Sequence, residues 1–263
     1  MSMLSRAGGT VRVGRYPPPA VDALDDPPPA GGLRDDPAAV ALPTYELRRS
    51  RRARRASVRI EPDRGLVVTL PQRAAAREAD RVVRELAGWI APRLVVQQAR
   101  RAAFAAEAGA LPVLGERLAL VEQEGRRRVH RRGAQLLVPA GEERDRAIEA
   151  WLRGRAREEA GPRLDEAVAA LGVRYGRLRI TDTRSRWGSC SSTGTISLSW
   201  RLLLAPPDCL DYVVWHEACH LVHAHHGATF WALLEQHRPG WREPAAWLRR
   251  HGGDLRLWLA DAA

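Results

Sequence analysis

The chain contains no lysine. All 42 of its basic residues are arginine, set against 31 acidic ones, for a formal net charge of +11. With so much Ala, Gly and Pro alongside, this points to GC-rich codon bias more than to selection for phosphate binding. A basic patch could still attract nucleic acid, which stays among the candidate partners. Cysteine is also scarce: Cys190, Cys209 and Cys219 are odd in number and form no C-x-x-C pair. That argues against a disulfide framework and fits a reducing compartment. No apolar run approaches the roughly 18–20 residues needed to cross a membrane. The opening stretch, MSMLSRAGGTVRVGRYPPP, lacks an apolar core of the signal-peptide type. The expected location is therefore the cytoplasm, with no membrane partner.

What is present falls into three segments. Residues 1–42 hold Pro17-Pro18-Pro19, Pro27-Pro28-Pro29 and Gly31-Gly32 without apolar periodicity, and read as a disordered tail. Residues 43–140 open with an arginine-rich strip, six Arg between Arg48 and Arg55, expected as a solvated edge strand. Val58 and Ile60 alternate with polar residues, Pro62-Asp63-Arg64-Gly65 is turn chemistry, and Leu66 to Leu70 returns, so a β-hairpin is expected. Ala79, Val82, Val83, Leu86 and Ile90 follow helical spacing, with a break or kink at Pro92. Leu118 to Val121 and Gln135 to Val138 read as short strands. In residues 141–263, Ile148, Trp151, Leu152 and Ala156 mark a helix that Gly161-Pro162 should punctuate. Strands are expected from Arg177 to Thr183 and from Thr195 to Trp200, and a last helix around Trp241, Trp247 and Leu248.

The chemistry concentrates in VVWHEACHLVHAHHGATFW, Val213 to Trp231. His216-Glu217-Ala218-Cys219-His220 is the pattern H-E-x-x-H. On a helix, residues four apart share a face, so both imidazoles can reach one Zn²⁺. Glu217 points about 100° round the helix, beside a metal rather than on it, where it can act as general base. Helicity is supported by Pro206 and Pro207 at a start, Asp208 and Asp211 near the positive end, and the apolar side Leu210, Val213, Val214, Ala218 and Leu221. A catalytic zinc takes three protein ligands and keeps one position open. His223, His225, His226, Glu235 and Glu243 are the candidates for the third. His223 shares the face of the pair but sits too far along the axis of a straight helix. His226 precedes Gly227, a plausible N-cap for a second helix, and a turn there returns it to the metal. We expect His226, with His225 as the alternative.

These blocks resemble the YgjP-like family of zinc metallopeptidases, relatives of the SprT-like and WLM proteases. The resemblance rests on His216-Glu217-x-x-His220-x5-His226 with Phe230-Trp231, and on Arg186-Trp187-Gly188-Ser189-Cys190-Ser191 with Gly194 before a strand. The arginine-rich segment Tyr45 to Ile60 adds weakly to it. It spans roughly Tyr45 to Gly252. This chain departs in carrying His225 where the family usually has Asn or another non-ligand, and Gly227 where it often has Ser. The resemblance implies a zinc-dependent peptidase and supplies no firm substrate.

The expectation is an α+β protein: an N-terminal β-hairpin and helix region, then a small zincin-like unit with a short antiparallel sheet and the H-E-x-x-H helix. Its reaction would be peptide-bond hydrolysis, with His216, His220 and His226 on Zn²⁺, Glu217 as base and a peptide or protein as substrate. The alternative is a non-catalytic, nucleic-acid-associated protein with a structural zinc, which would need a closed four-ligand site. The tail reading has its own test. Limited proteolysis followed by mass spectrometry should trim the chain to about residue 42 and leave a stable remainder. Persistence of the full chain would place the boundary elsewhere.

Overall fold

The structure, a computed structural model, describes residues 42–106, 109–183 and 186–259. Apart from Leu42, the expected tail lies outside the described residues. The described residues form two compact units, one of 42–106 with 256–259, the other of 109–183 and 186–255. Together they make a mixed α+β protein with six α-helices and three small sheets among the described residues.

The first unit holds strands Tyr45–Ser50 (β1), Ser57–Glu61 (β2) and Gly65–Pro71 (β3), in the order β1-β3-β2. β2 and β3 form the expected antiparallel hairpin, pairing Val58 with Val68 and Ile60 with Leu66. Gly65 closes it at φ +79°, a left-handed conformation that favours glycine. β1 is an edge strand parallel to β3 and stops at Ser50, leaving Arg51, Arg52, Arg54 and Arg55 exposed beyond it. Helices Arg77–Glu85 (α1) and Ala87–Ala106 (α2) lay Ala79, Val83 and Ile90 on Leu66, Val68 and Leu70. The helical break falls at Leu86 and not at Pro92, which sits inside α2. Pro92 is the sixth residue of α2, so it removes one rung, the bond that an N–H there would make to the Gly88 carbonyl.

The second unit begins with Ala110–Val113 (β4), Glu116–Gln123 (β5), His130–Arg132 (β6) and Gln135–Pro139 (β7), in the order β4-β5-β7-β6. β5 and β7 run parallel. Helix Glu143–Ala170 (α3) then runs unbroken for 28 residues through Gly161-Pro162, where a punctuation was expected. A proline inside a helix costs about 3 kcal/mol. Ile148, Leu152, Ala156, Ala160, Leu164, Ala167 and Val168 are all buried along one face. Each large aliphatic side chain among them contributes about 1.5–3 kcal/mol, so the packed face outweighs the local defect.

Arg177–Thr181 (β8), Gly188–Cys190 (β9) and Thr195–Ser199 (β10) form a sheet in the order β8-β10-β9. It is mixed, which corrects the antiparallel sheet expected. β9 and β10 are joined by a tight turn, Gly194 N–H donating to the Ser191 carbonyl at 2.9 Å, and pair antiparallel. That turn takes one edge of β10, so β8 pairs with the other edge, in parallel. Trp200 leaves the strand and starts a 3₁₀ turn, Trp200–Leu204, because the Ser199 hydroxyl accepts from Arg201 N–H. Helices Pro207–Cys219 (α4), Ala228–His237 (α5) and Arg242–His251 (α6) follow. Beyond Gly253 the chain forms a short 3₁₀ turn, Asp254–Arg256. No helix among the described residues is long and apolar enough to cross a membrane.

α3 packs against α4, so its buried face supports the helix that carries the histidines. Leu152 is fully buried. Leu152→Ala should cost about 2–5 kcal/mol of stability, as truncated core leucines do. Urea denaturation checks this: the midpoint should fall with an unchanged slope.

Candidate metal centre

α4 begins as its sequence dictates, with Pro206 as N-cap, Pro207 at N1 and Asp208 in the first turn. It is buried nearly all round, from Cys209 to Cys219. His216 lies in its last turn and His220 forms its C-cap, still with right-handed helical backbone angles. The spacing of four therefore holds, and both rings turn to the same side.

The chain then leaves the helix through Leu221 to Gly227. His223 N–H closes the turn onto the Cys219 carbonyl at 2.9 Å, and Gly227 N-caps α5. This loop returns His226 to the pair. The three Nε2 atoms stand 3.3 Å (His220 to His216), 3.1 Å (His220 to His226) and 3.0 Å (His226 to His216) apart. Among the described residues these three form the cluster of side chains able to hold a metal ion. His223, His225, Glu235 and Glu243 fall outside it; Glu235 instead accepts from Trp241 Nε1 at 2.8 Å.

The protonation states suit a cation. His220 Nδ1 lies 3.0 Å from the His223 carbonyl, which can only accept, so Nδ1 carries the proton and Nε2 presents its lone pair to the cluster. Burial pushes the His216 pKa well down, and the neighbouring His220 and His226 push it further. Burial likewise lowers His220 to about 4 and holds His226 below its usual range. All three rings are thus neutral at pH 7. Three nitrogens at tetrahedral angles, about 2.0–2.1 Å from one zinc, stand about 3.3–3.4 Å apart. The observed triangle is within a few tenths of an ångström of that. The donor set fits zinc.

An aromatic shell holds the rings. Phe230, fully buried on α5, lies 4.5 to 5.0 Å from all three imidazole centroids. Trp231 stacks on His226 at 5.4 Å, Trp241 on Trp231 at 4.7 Å, and Tyr212 on Trp241 at 5.9 Å. His226 precedes the N-cap Gly227 and Trp231 is the fourth helical residue, the spacing of a hydrophobic staple, which could have marked Trp231 as a support for that ring.

Glu217 is 2 % exposed. Burial raises its pKa to about 8, against the opposing pull of Arg186. Its Oε2 has no hydrogen-bond partner among the described residues. The carboxylate lies against β9 at Gly188. A Cβ there would stand 2.5 Å from Glu217 Oε1 and 2.7 Å from Cγ. Only glycine leaves room for this side chain, a role invisible in the sequence because it depends on two elements meeting. Cys190, two residues further along the same strand, is no competing nucleophile: burial and Glu217 push its thiol up to about 11. Cys219 is fully buried in α4, as a small packing residue would be.

A family model described as YgjP-like, metallopeptidase domain, matches residues 54–251. Among solved structures, the metallopeptidase zymogen of Pyrococcus abyssi abylysin is 24% identical, with a TM-score of 0.32. That match covers 35% of this chain and 93% of the other. Among curated proteins, none matches.

The packing of Gly188 on Glu217 is testable. Gly188→Ala should destabilise the protein by about 1–3 kcal/mol, the usual cost of overpacking. In a Glu217→Ala background the same substitution should be nearly neutral, because the opposing side chain is gone. Equal costs in both backgrounds, measured by chemical denaturation, would mean that the two residues do not meet.

Proposed function

This chain belongs to the YgjP-like metallopeptidase family, and from that premise we propose a zinc-dependent peptidase whose zincin-like site lies on α4 and the loop after it. His216, His220 and His226 hold the zinc through Nε2. The observation that carries this is the triangle of three ring nitrogens, 3.0–3.3 Å on a side, inside an aromatic shell. No fourth His, Cys, Asp or Glu joins the cluster among the described residues. A structural zinc would need one, which supports a catalytic site over the nucleic-acid-associated alternative. Zinc so held supplies Lewis acidity toward water and toward the carbonyl of the scissile peptide bond.

The chain's own contribution is proton transfer. In its ionised form, which a cation held by the neighbouring histidines would favour against the effect of burial, Glu217 Oε2 accepts a proton from the attacking water as the water oxygen bonds to the carbonyl carbon. The C–N bond then breaks, and the same carboxyl returns the proton to the leaving nitrogen. One peptide and one water become a carboxylate and an ammonium, the water's second proton passing from the new carboxyl to the amine. The buried position of Glu217 against Gly188 keeps its carboxylate in one place for both transfers. A cytoplasmic setting is consistent with three free, buried cysteines.

Matched preparations test metal and base together. Wild type should carry one zinc per chain by elemental analysis. His226→Ala should lose it, whereas His225→Ala should keep it. Glu217→Gln should keep zinc and thermal stability near wild type, while cleavage in an unbiased peptide library falls by about 10²–10⁴-fold. Undiminished cleavage would remove Glu217 from the mechanism. Loss of zinc in Glu217→Gln would make it a ligand instead. Absence of stoichiometric metal from the wild type, even after reconstitution, would end the enzyme reading.

A further inference from the structure

Beside His220, one of the three clustered histidines, lies a cavity of about 250 Å³. One wall is the turn between β9 and β10, with Ser191, Ser192 and Gly194; the other is the segment leaving α4, with His220, Val222 and Ala224. His220 therefore belongs both to the histidine cluster and to the cavity. Val222 and Ala224 are exposed, so the cavity is reached from solvent. Gly194 shapes the turn at φ +73°, where a Cβ would also crowd the Gly176 nitrogen at 3.0 Å.

The walls carry no ionised side chain, and their polar groups are engaged. The Ser191 hydroxyl bonds the Thr193 hydroxyl at 2.9 Å and accepts from Thr195 N–H at 3.0 Å. His220 Nδ1 donates to the His223 carbonyl. The thiol of Cys190, also on the wall, donates to the Ser191 carbonyl at 3.5 Å.

We propose that this cavity receives an uncharged side chain of the substrate, from the residue adjoining the bond to be cut. The protein would thus select peptides with a small or medium apolar residue at that position. The proposal rests on the peptidase reading above. A side chain seated here would lie against His220, a member of the histidine cluster, which would bring its own backbone toward the bond to be cut. An ionised side chain would lose hydration against walls that offer no counter-charge. Glycine would leave the cavity empty, whereas each methylene that fills it adds to transition-state binding.

The experiment uses the zinc-loaded full chain and a peptide library whose cut sites are read by mass spectrometry. One position next to the cleaved bond should favour Ala, Val, Leu or Met over Asp, Glu, Lys and Arg, with a span of about 10–200-fold in kcat/KM. Ser192 is exposed and lies on the turn, away from the histidines in sequence. Ser192→Arg should shift that one position toward Asp and Glu by about tenfold. Zinc content should stay at one per chain. Binding of the same peptides to zinc-loaded Glu217→Gln, by titration calorimetry, should follow the wild-type ranking. Cleavage with no preference beside the cut, or a preference that Ser192→Arg leaves in place, would overturn the cavity assignment while the peptidase stands. A zinc-loaded wild type that cuts no peptide, with a Glu217→Gln form that binds none, would overturn both.

Discussion

Three imidazole nitrogens within 3.3 Å of one another, lone pairs converging, form an arrangement that a chain does not reach without opposition. Protonating a ring would relieve it, but burial disfavours the charged form at every one of the three. Hydrogen bonding relieves it only in part, because the His223 carbonyl already fixes the His220 tautomer with its proton facing away. A divalent cation satisfies all three lone pairs at once. Metal affinity and local stability are therefore two aspects of one free energy here. The surroundings are consistent with this: Phe230 contacts every ring, and the stack from Trp231 to Tyr212 limits how far His226 can swing away.

What could be read beforehand was what depends on spacing along one element. His216 and His220 are four apart, and the helix that makes the number meaningful announces itself through Pro206, Pro207 and Asp208. His226 needed one further step, a turn before Gly227, which a single N-cap signal can suggest. Gly188 was legible only as part of a resemblance, since its function is to leave space for a side chain 29 positions later. Sheet topology escaped for the same reason. Alternation marks Leu178, Ile180, Ile196 and Leu198 as strand residues, but not that β8 runs parallel to β10 with β9 on the far edge. Pro92 and Pro162 misled because a local penalty of a few kcal/mol says nothing of the tertiary burial that offsets it.

The arginine excess divides by environment. Arg153 with Glu149, Arg155 with Glu158 and Glu159, and Arg81 with Glu85 are helix-face pairs three or four apart. Such exposed pairs are each worth about 0.2–1 kcal/mol. They account for arginines without invoking a polyanionic partner. Arg201 is different. It is 8 % exposed, grips Asp182 through two nitrogens at 2.8 and 3.1 Å, donates to the Leu255 carbonyl and lies over the Trp200 ring at 4.2 Å. This planar, multiply bonded cation fastens the end of β10 to the chain that leaves β8, and so braces the sheet beside α4. Lysine could supply the charge there but not the fork.

The β9–β10 hairpin carries two separable duties. At its start, Gly188 admits the Glu217 carboxylate, a backbone contact that tolerates almost no variation. At its tip, Ser191 to Gly194 form one wall of the cavity beside His220, where several side chains are solvent-facing. If Glu217 is the base, as proposed, the strand has to stay rigid to hold it, whereas the turn can change without moving it, because antiparallel pairing of Gly188 with Leu198 fixes the strand independently of the tip. In such a layout reaction chemistry and side-chain choice are tuned by different residues of one element. Substitutions at the tip would alter which peptides are cut, and those at the base whether any are.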